Sequence, residues 1–174
     1  YPCFCTRADI AASLSAPHEG PGVTYPGTCR SLPGHERAAR LGEPHGWRLD
    51  IAAATARAGA GLTWHDAVAG TVVADPAPQG DVIVARKDAP ASYHLAVTVD
   101  DAAQGVTDIV RGVDLFEATH IHRLLQALLA LPTPRYHHHP LIRDAAGKRL
   151  AKRSGAPTLA ARRAAGEDGL ALAA

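Results

Sequence analysis

Apolar side chains at Ile121, Leu124, Leu125, Leu128 and Leu129 recur at intervals of three and four residues through ATHIHRLLQALLAL, the spacing of one helix face. Pro132 and Pro134 end the pattern, because proline has no N–H to give and clashes with the preceding turn. DVIVAR (81–86) and HLAVTVDD (94–101) are apolar, β-branched runs of strand length. QGVTDIVRGVDLF (104–116) combines a short strand with a turn at Gly112, and RYHHHPLI (135–142) reads as a further strand. Strand, crossover helix, strand is the signature of a parallel sheet, so the fold class is α/β. TLAARRAAGEDG (158–169) predicts a closing helix, with Thr158 as its cap and Gly166 as its stop.

Before Gly80 the pattern is sparser. Gly and Pro are frequent, and SAPHEGPGVTYPGTC (15–29) reads as loop. TRADIAASL carries a Thr-x-x-Asp capping pattern from Thr6 to Asp9 that predicts a short helix, while GWRLDIAAA (46–54) and AGTVVAD (69–75) predict short strands. The change of texture divides the chain into 1–80, a loop-rich module bearing the cysteines, 81–146, an α/β half-domain, and 147–174, a basic loop with its helix.

Composition narrows the function classes. A chain of 174 residues supports one domain with a real core, or one domain with a small appendage. A net charge of +1 excludes binding to nucleic acid through bulk electrostatics, so any RNA contact comes from local patches. The longest apolar stretch, LLQALLAL (124–131), is too short to span a membrane, and no signal peptide opens the chain; a cytoplasmic protein is expected. The sequence has no methionine and begins at Tyr1, so it is expected to be part of a longer protein.

Cys3, Cys5 and Cys29 are an odd set in a chain expected to meet a reducing compartment, which favours a metal over disulfides. Three thiolates need one more ligand for a tetrahedral zinc site, and His18, His35 and Tyr25 are the candidates. By spacing alone histidine is the commoner choice. A loop-rich module with little apolar material would gain most from such a structural staple. His137, His138 and His139 stand in a strand whose side chains alternate between faces, so they do not converge on one ion and are read as structural. Asp100 and Asp101 are expected at the carboxyl end of a strand, where α/β ligands gather, and either cap the next turn or meet substrate. GKRLAKRSGAPTL (147–159) is by itself either a solvated basic surface or a phosphate-facing loop.

From Gly80 onward the residues resemble a known family. GDVIVARKDAPASYHLAVTVDDAAQGVTDIVRGVDLFEATHIHRLLQALL, followed by PRYHHHPLIRDAAGKRLAKRSGAPTL, is similar to the second half of glutamyl-type class I aminoacyl-tRNA synthetases, and Tyr93 to Leu115 is the most specific part. The CFC…YPGTC pattern further resembles the zinc motif of the short glutamyl-queuosine tRNA(Asp) paralogues, and only fifteen residues follow Leu159, too few for an anticodon-binding domain. The resemblance implies the second half of a Rossmann-like catalytic domain, with residues 1–80 as a zinc-bearing acceptor-binding insertion. It implies activation of L-glutamate by ATP with Mg2+ to glutamyl-adenylate, then transfer to the queuosine base of tRNA(Asp). The expected state is a monomer, without a membrane partner. The alternatives are a truncated glutamyl-tRNA synthetase charging the tRNA end, and a non-catalytic zinc-bearing RNA-binding module.

The resemblance also assigns residues. Tyr25 joins Cys3, Cys5 and Cys29 as zinc ligand. Lys152 matches the second lysine of a KMSKS-like loop, where a cation stabilises the α-phosphate and departing pyrophosphate. Arg149 and Arg153 add charge, although Arg149 replaces the usual first lysine and Ala151 a usual serine. Tyr93 and Arg111 match positions that hold glutamate; a guanidinium can pair bidentately with a carboxylate, the alternative for Arg111 being an ion pair with Asp108 or Asp114. The family's HIGH-like motif falls upstream of Tyr1, so this chain alone is expected not to activate glutamate.

Overall fold

The computed structural model describes residues 1–6, 8–10, 24–143, 147 and 158–169. They belong to two compact units, Tyr1–His138 and His139–Ala174. Among the described residues no helix is long and apolar enough to cross a membrane.

Two sheets organise the chain. The smaller joins β1 (Pro2–Cys3), β2 (Gly46–Arg48) and β5 (Ile83–Ala85) in that order, both pairings antiparallel. The larger has β3 (Thr63–Asp66), β4 (Gly70–Val73), β6 (Asp108–Gly112) and β7 (Arg135–His139) in the order β4-β3-β7-β6. β3 and β4 form a hairpin, and β3 pairs with β7 in parallel. Alternation is regular: Trp64 and Asp66 of β3 point inward, as do Tyr136 and His138 of β7, while His137 and His139 are exposed. The three adjacent histidines therefore diverge, as the strand reading of RYHHH demanded.

The helices are α1 (Gly34–Ala39), α2 (Ile51–Ala58), α3 (Tyr93–Ala103), α4 (Phe116–Leu128) and α5 (Leu159–Ala164). The apolar stripe of α4 buries Ile121, Leu124 and Leu125 against Ile51 and Ala54 of α2, with Leu49, Leu62, Val82 and Val84 closing the core. Each such aliphatic side chain contributes about 1.5–3 kcal/mol when buried. Thr6 Oγ1 accepts from Asp9 N–H while the Asp9 carboxylate accepts from Thr6 N–H, the capping box expected there. Thr158 caps α5 by accepting from Ala161 N–H, and Gly166 follows with a φ of 77°.

One expected strand is helical instead, and another ends early. HLAVTVDD lies within α3, because Ser92 caps that helix by accepting from Leu95 N–H and α3 packs on α4 and β5. Caps and packing override the weak β-preference of Val97, Thr98 and Val99. Asp100 and Asp101 consequently sit near the end of a helix rather than at a sheet edge. GWRLDIAAA is strand only to Arg48; Asp50 then accepts from Ala53 N–H and starts α2.

The change in texture falls at Gly80. β2 and β5 pair across it, and Leu49 N–H donates to Val82 O. Gly80 itself has a φ of 60°, and a Cβ there would collide with Thr24 Cγ2, so only glycine lets the two segments approach. Of the basic loop, Lys148 to Pro157 lie outside the described residues, and with them Arg149, Ala151, Lys152 and Arg153.

Candidate functional site

Two buried polar clusters and one cavity account for the candidate residues. The first cluster starts where β1 meets the loop before α1. β1 places Cys3, its continuation Cys5, and a turn at Gly27, with a φ of 84°, brings Cys29 back beneath Tyr25. The three sulfurs lie within 4.8 Å of one another, Cys5 and Cys29 at 3.5 Å. Tyr25 Oη lies 3.6 Å from Cys3 Sγ and 3.8 Å from Cys5 Sγ, and accepts from Cys29 N–H at 2.7 Å. A tetrahedron built on metal–sulfur bonds of about 2.3 Å has edges of about 3.8 Å, so the three sulfurs are close enough to hold one metal ion. Among the described residues Tyr25 is the group beside the three sulfurs; His35 is exposed on α1, and His18 lies outside the described residues.

The thiols are electrostatically unequal. Burial pushes Cys5 up to about 11, reinforced by its contact with Cys29. Burial pushes Cys29 up as well, but hydrogen bonds from Tyr25 and from Phe4 N–H outweigh it and bring the thiol to about 7. Buried Arg48 covers the cluster: its Nε donates to Cys3 Sγ at 3.3 Å, and its guanidinium lies 3.7 Å from the Tyr25 ring centroid. Asp81, itself buried, receives Arg30, the Tyr1 hydroxyl and Ile51 N–H.

The second cluster surrounds Arg111 at the end of β6. Its Nε donates to His138 Nε2 at 3.1 Å, and Nη2 to Thr119 Oγ1 at 2.5 Å and Leu115 O at 3.3 Å. Nη1 and Nη2 share His122 Nδ1, each at 3.3 Å. His138 Nδ1 meets Asp66 Oδ2 at 2.7 Å, both side chains being 1% exposed. Asp66 also accepts from Val68, Ala69 and His138 N–H groups. Burial would raise its carboxyl, but these donors outweigh burial and hold it at about 2. His122 is brought down to about 3, chiefly by burial and then by Arg111 and its histidine neighbours. The rings of Trp64, Phe116 and Tyr136, 5.1–5.8 Å away by centroid, enclose His138. The alternative ion pair with Asp108 is not made, since Asp108 pairs with Arg135 at 2.8 Å.

Tyr93 opens α3, half exposed, with its ring 5.8 Å from that of His122, so it meets Arg111 across one histidine. Tyr93, His94 and Ser92 line a cavity of about 770 Å³ whose opposite wall includes Cys3, Cys5, Thr6 and Arg48, with Arg86 and Lys87 along it. Arg111 stands behind His94 and His122. Its Nε and Nη2 are committed to the protein and Nη1 also donates to His122 Nδ1, so among the described residues only the second N–H of Nη1 has no partner. Sequence reasoning missed Asp66, His94, His122 and Arg48. The histidines carried a legible signal in their number, but no spacing rule joins Asp66 to His138.

The chain matches the family of class I tRNA synthetases (E and Q), catalytic domain, over residues 1–173, and is a member of it. Within that family it is 48% identical over 184 residues to a glutamyl-Q tRNA(Asp) synthetase of Rhodobacter capsulatus, covering 95% of this chain and 62% of the relative. Proteins of the same name from Symbiobacterium thermophilum and Nocardia farcinica are each 44% identical, covering 95% and 97% of this chain and 51% of each relative. The chain thus spans about half to three-fifths of these relatives. A glutamate tRNA ligase from Elizabethkingia meningosepticum, crystallised with its amino acid, superposes with a TM-score of 0.67 at 24% identity, over 89% of this chain and 32% of that one, and so shares the fold.

Proposed function

We propose that the protein to which this chain belongs is a cytoplasmic, monomeric ligase that activates L-glutamate with ATP and Mg2+ and transfers it to the queuosine base of tRNA(Asp). The observation that carries this reading is the meeting of Tyr93 and Arg111 at His122, behind a cavity bounded by the thiol cluster, in a chain 48% identical to a glutamyl-Q tRNA(Asp) synthetase. In it Arg111 offers its Nη1 end to the substrate carboxylate, a charge-assisted bond that selects glutamate over neutral glutamine. The commitment of Nε and Nη2 to His138 and Thr119 favours one strong bond over the bidentate clamp that an unencumbered guanidinium would form. Tyr93 closes the same end of the cavity. Lys152 supplies the cation for the α-phosphate and pyrophosphate.

Cys3, Cys5, Tyr25 and Cys29 hold a structural Zn2+, which ties β1 to the loop before α1. Residues 1–80 then act as the acceptor-binding insertion, 81–146 as the second Rossmann half, and 147–174 as the KMSKS-like loop and its helix.

The test uses labelled glutamate, ATP and tRNA(Asp) carrying queuosine but lacking its 3′-terminal adenosine. Label transfer to this tRNA, and none to one with guanosine at the wobble position, is the expected result. Transfer that requires the 3′ adenosine and ignores queuosine would replace this reading with charging of the tRNA end. Glutamate-dependent ATP–pyrophosphate exchange by the protein carrying this chain separates either ligase from a non-catalytic module.

A further inference from the structure

The hydrogen bonds around Arg111 form one continuous line whose polarity is fixed at both its charged members. A guanidinium can only donate, and an ionised carboxylate can only accept. Asp66 must therefore take the proton of His138 Nδ1, which leaves His138 Nε2 bare to accept from Arg111 Nε. On the other side Arg111 donates to His122 Nδ1. A neutral His122 then carries its hydrogen on Nε2, which lies 3.1 Å from His94 Nδ1 and donates to it. His94 in turn keeps its hydrogen on Nε2, the nitrogen not engaged by His122, and His94 lines the cavity.

We infer that His94 is a specificity-determining residue, a hydrogen-bond donor for an anionic oxygen of the substrate, with Asp66, His138 and His122 as positioning residues that hold Arg111 and the tautomer of His94. The inference rests on the reading of this cavity as the glutamate site, and deepens it. Each imidazole passes on a direction without carrying net charge, and the carboxylate of Asp66 balances Arg111 through His138 rather than by direct contact. Direct contact would have consumed the N–H groups that Arg111 offers to a ligand. Three aromatic rings around His138 prevent the ring flip that would reverse the line. A neutral donor also suits a site that already contains one cation, because it adds selectivity for a carboxylate without repelling Arg111.

Two measurements test this. Long-range 1H–15N correlation spectra of the imidazoles in the protein carrying this chain, at neutral pH, are expected to show His138 with its proton on Nδ1, and His122 and His94 with theirs on Nε2. The opposite tautomer at any of the three overturns the line, whatever the enzyme does. In ATP–pyrophosphate exchange, His94→Phe keeps a ring of similar size but gives no hydrogen; a rise of about tenfold in the glutamate KM is expected, with the ATP KM unchanged. His94→Gln, which restores an N–H, is expected to recover part of that loss. If Arg111→Gln raises the glutamate KM while His94→Phe leaves it unchanged, the role of His94 is refuted and the glutamate site stands. If neither substitution affects it, the reading of the site fails as well.

Discussion

The thiol cluster and the histidine line are both buried groups of polar side chains, yet they balance charge in different ways. Around Arg111 each strong donor meets an acceptor: guanidinium to imidazole, imidazole to carboxylate, guanidinium to hydroxyl. These donors need no metal ion to find their partners. Around Cys29, three thiols and a phenol crowd together with mutual distances of 3.5–3.8 Å where they touch, and the nearest cation, Arg48, reaches only Cys3 and the face of Tyr25. Sulfur hydrogen bonds are weak, so closeness of this kind is stable chiefly around an ion. One cluster is held by the fold, and on the proposed reading the other, once metallated, helps to hold it.

The comparison is broken most severely at Cys29. Cys29→Ser is expected to abolish retention of about one zinc ion per chain and to lower the melting temperature markedly, as the loss of structural zinc does; elemental analysis with calorimetry checks both. Equal zinc in variant and wild type would refute the metal centre. Asp66→Ala attacks the other cluster and leaves Arg111 without its counter-charge; a loss of about 3–5 kcal/mol in urea unfolding is expected, with zinc content unchanged.

Acid should separate the clusters by pH. The carboxyl of Asp66 is lowered from 3.8 to about 2 in the fold, so its contribution is complete above about pH 4 and disappears as pH falls through 2. His122, lowered from 6.5 to about 3, stays neutral in the fold while the unfolded chain takes up a proton; stability therefore declines as pH drops from about 6.5 toward 3. Unfolding measured between pH 7 and 3 is expected to show that slope, flattened by His122→Gln. Arg48→Met, which keeps the stem but removes the charge and the donor to Cys3, is expected to weaken zinc retention about tenfold in chelator competition. Tyr93→Phe should change stability in urea unfolding by less than about 0.5 kcal/mol, because the side chain is half exposed; a larger loss would show that its hydroxyl supports the fold.

Much of this was legible before the fold. The stripe Ile121, Leu124, Leu125 gave α4, the capping patterns at Thr6 and Thr158 gave helix starts, and the alternation in RYHHH separated His138 from its neighbours. HLAVTVDD misled because its β-branched residues suit a strand, while the deciding Ser92 cap is a single side chain. Tyr25 was promoted to ligand only through a resemblance, since spacing alone favours histidine.

The sequence by itself determined the α/β class, the candidacy of the three thiols for a metal, and the residue types able to meet a carboxylate, because periodicity and side-chain chemistry are local properties. Only the tertiary structure decided that Asp66 of one hairpin serves Arg111 of another strand through His138, 72 residues along the chain from Asp66. Hydrogen-bond direction depends on which donors and acceptors meet after the sheet has closed, and no local spacing encodes that meeting.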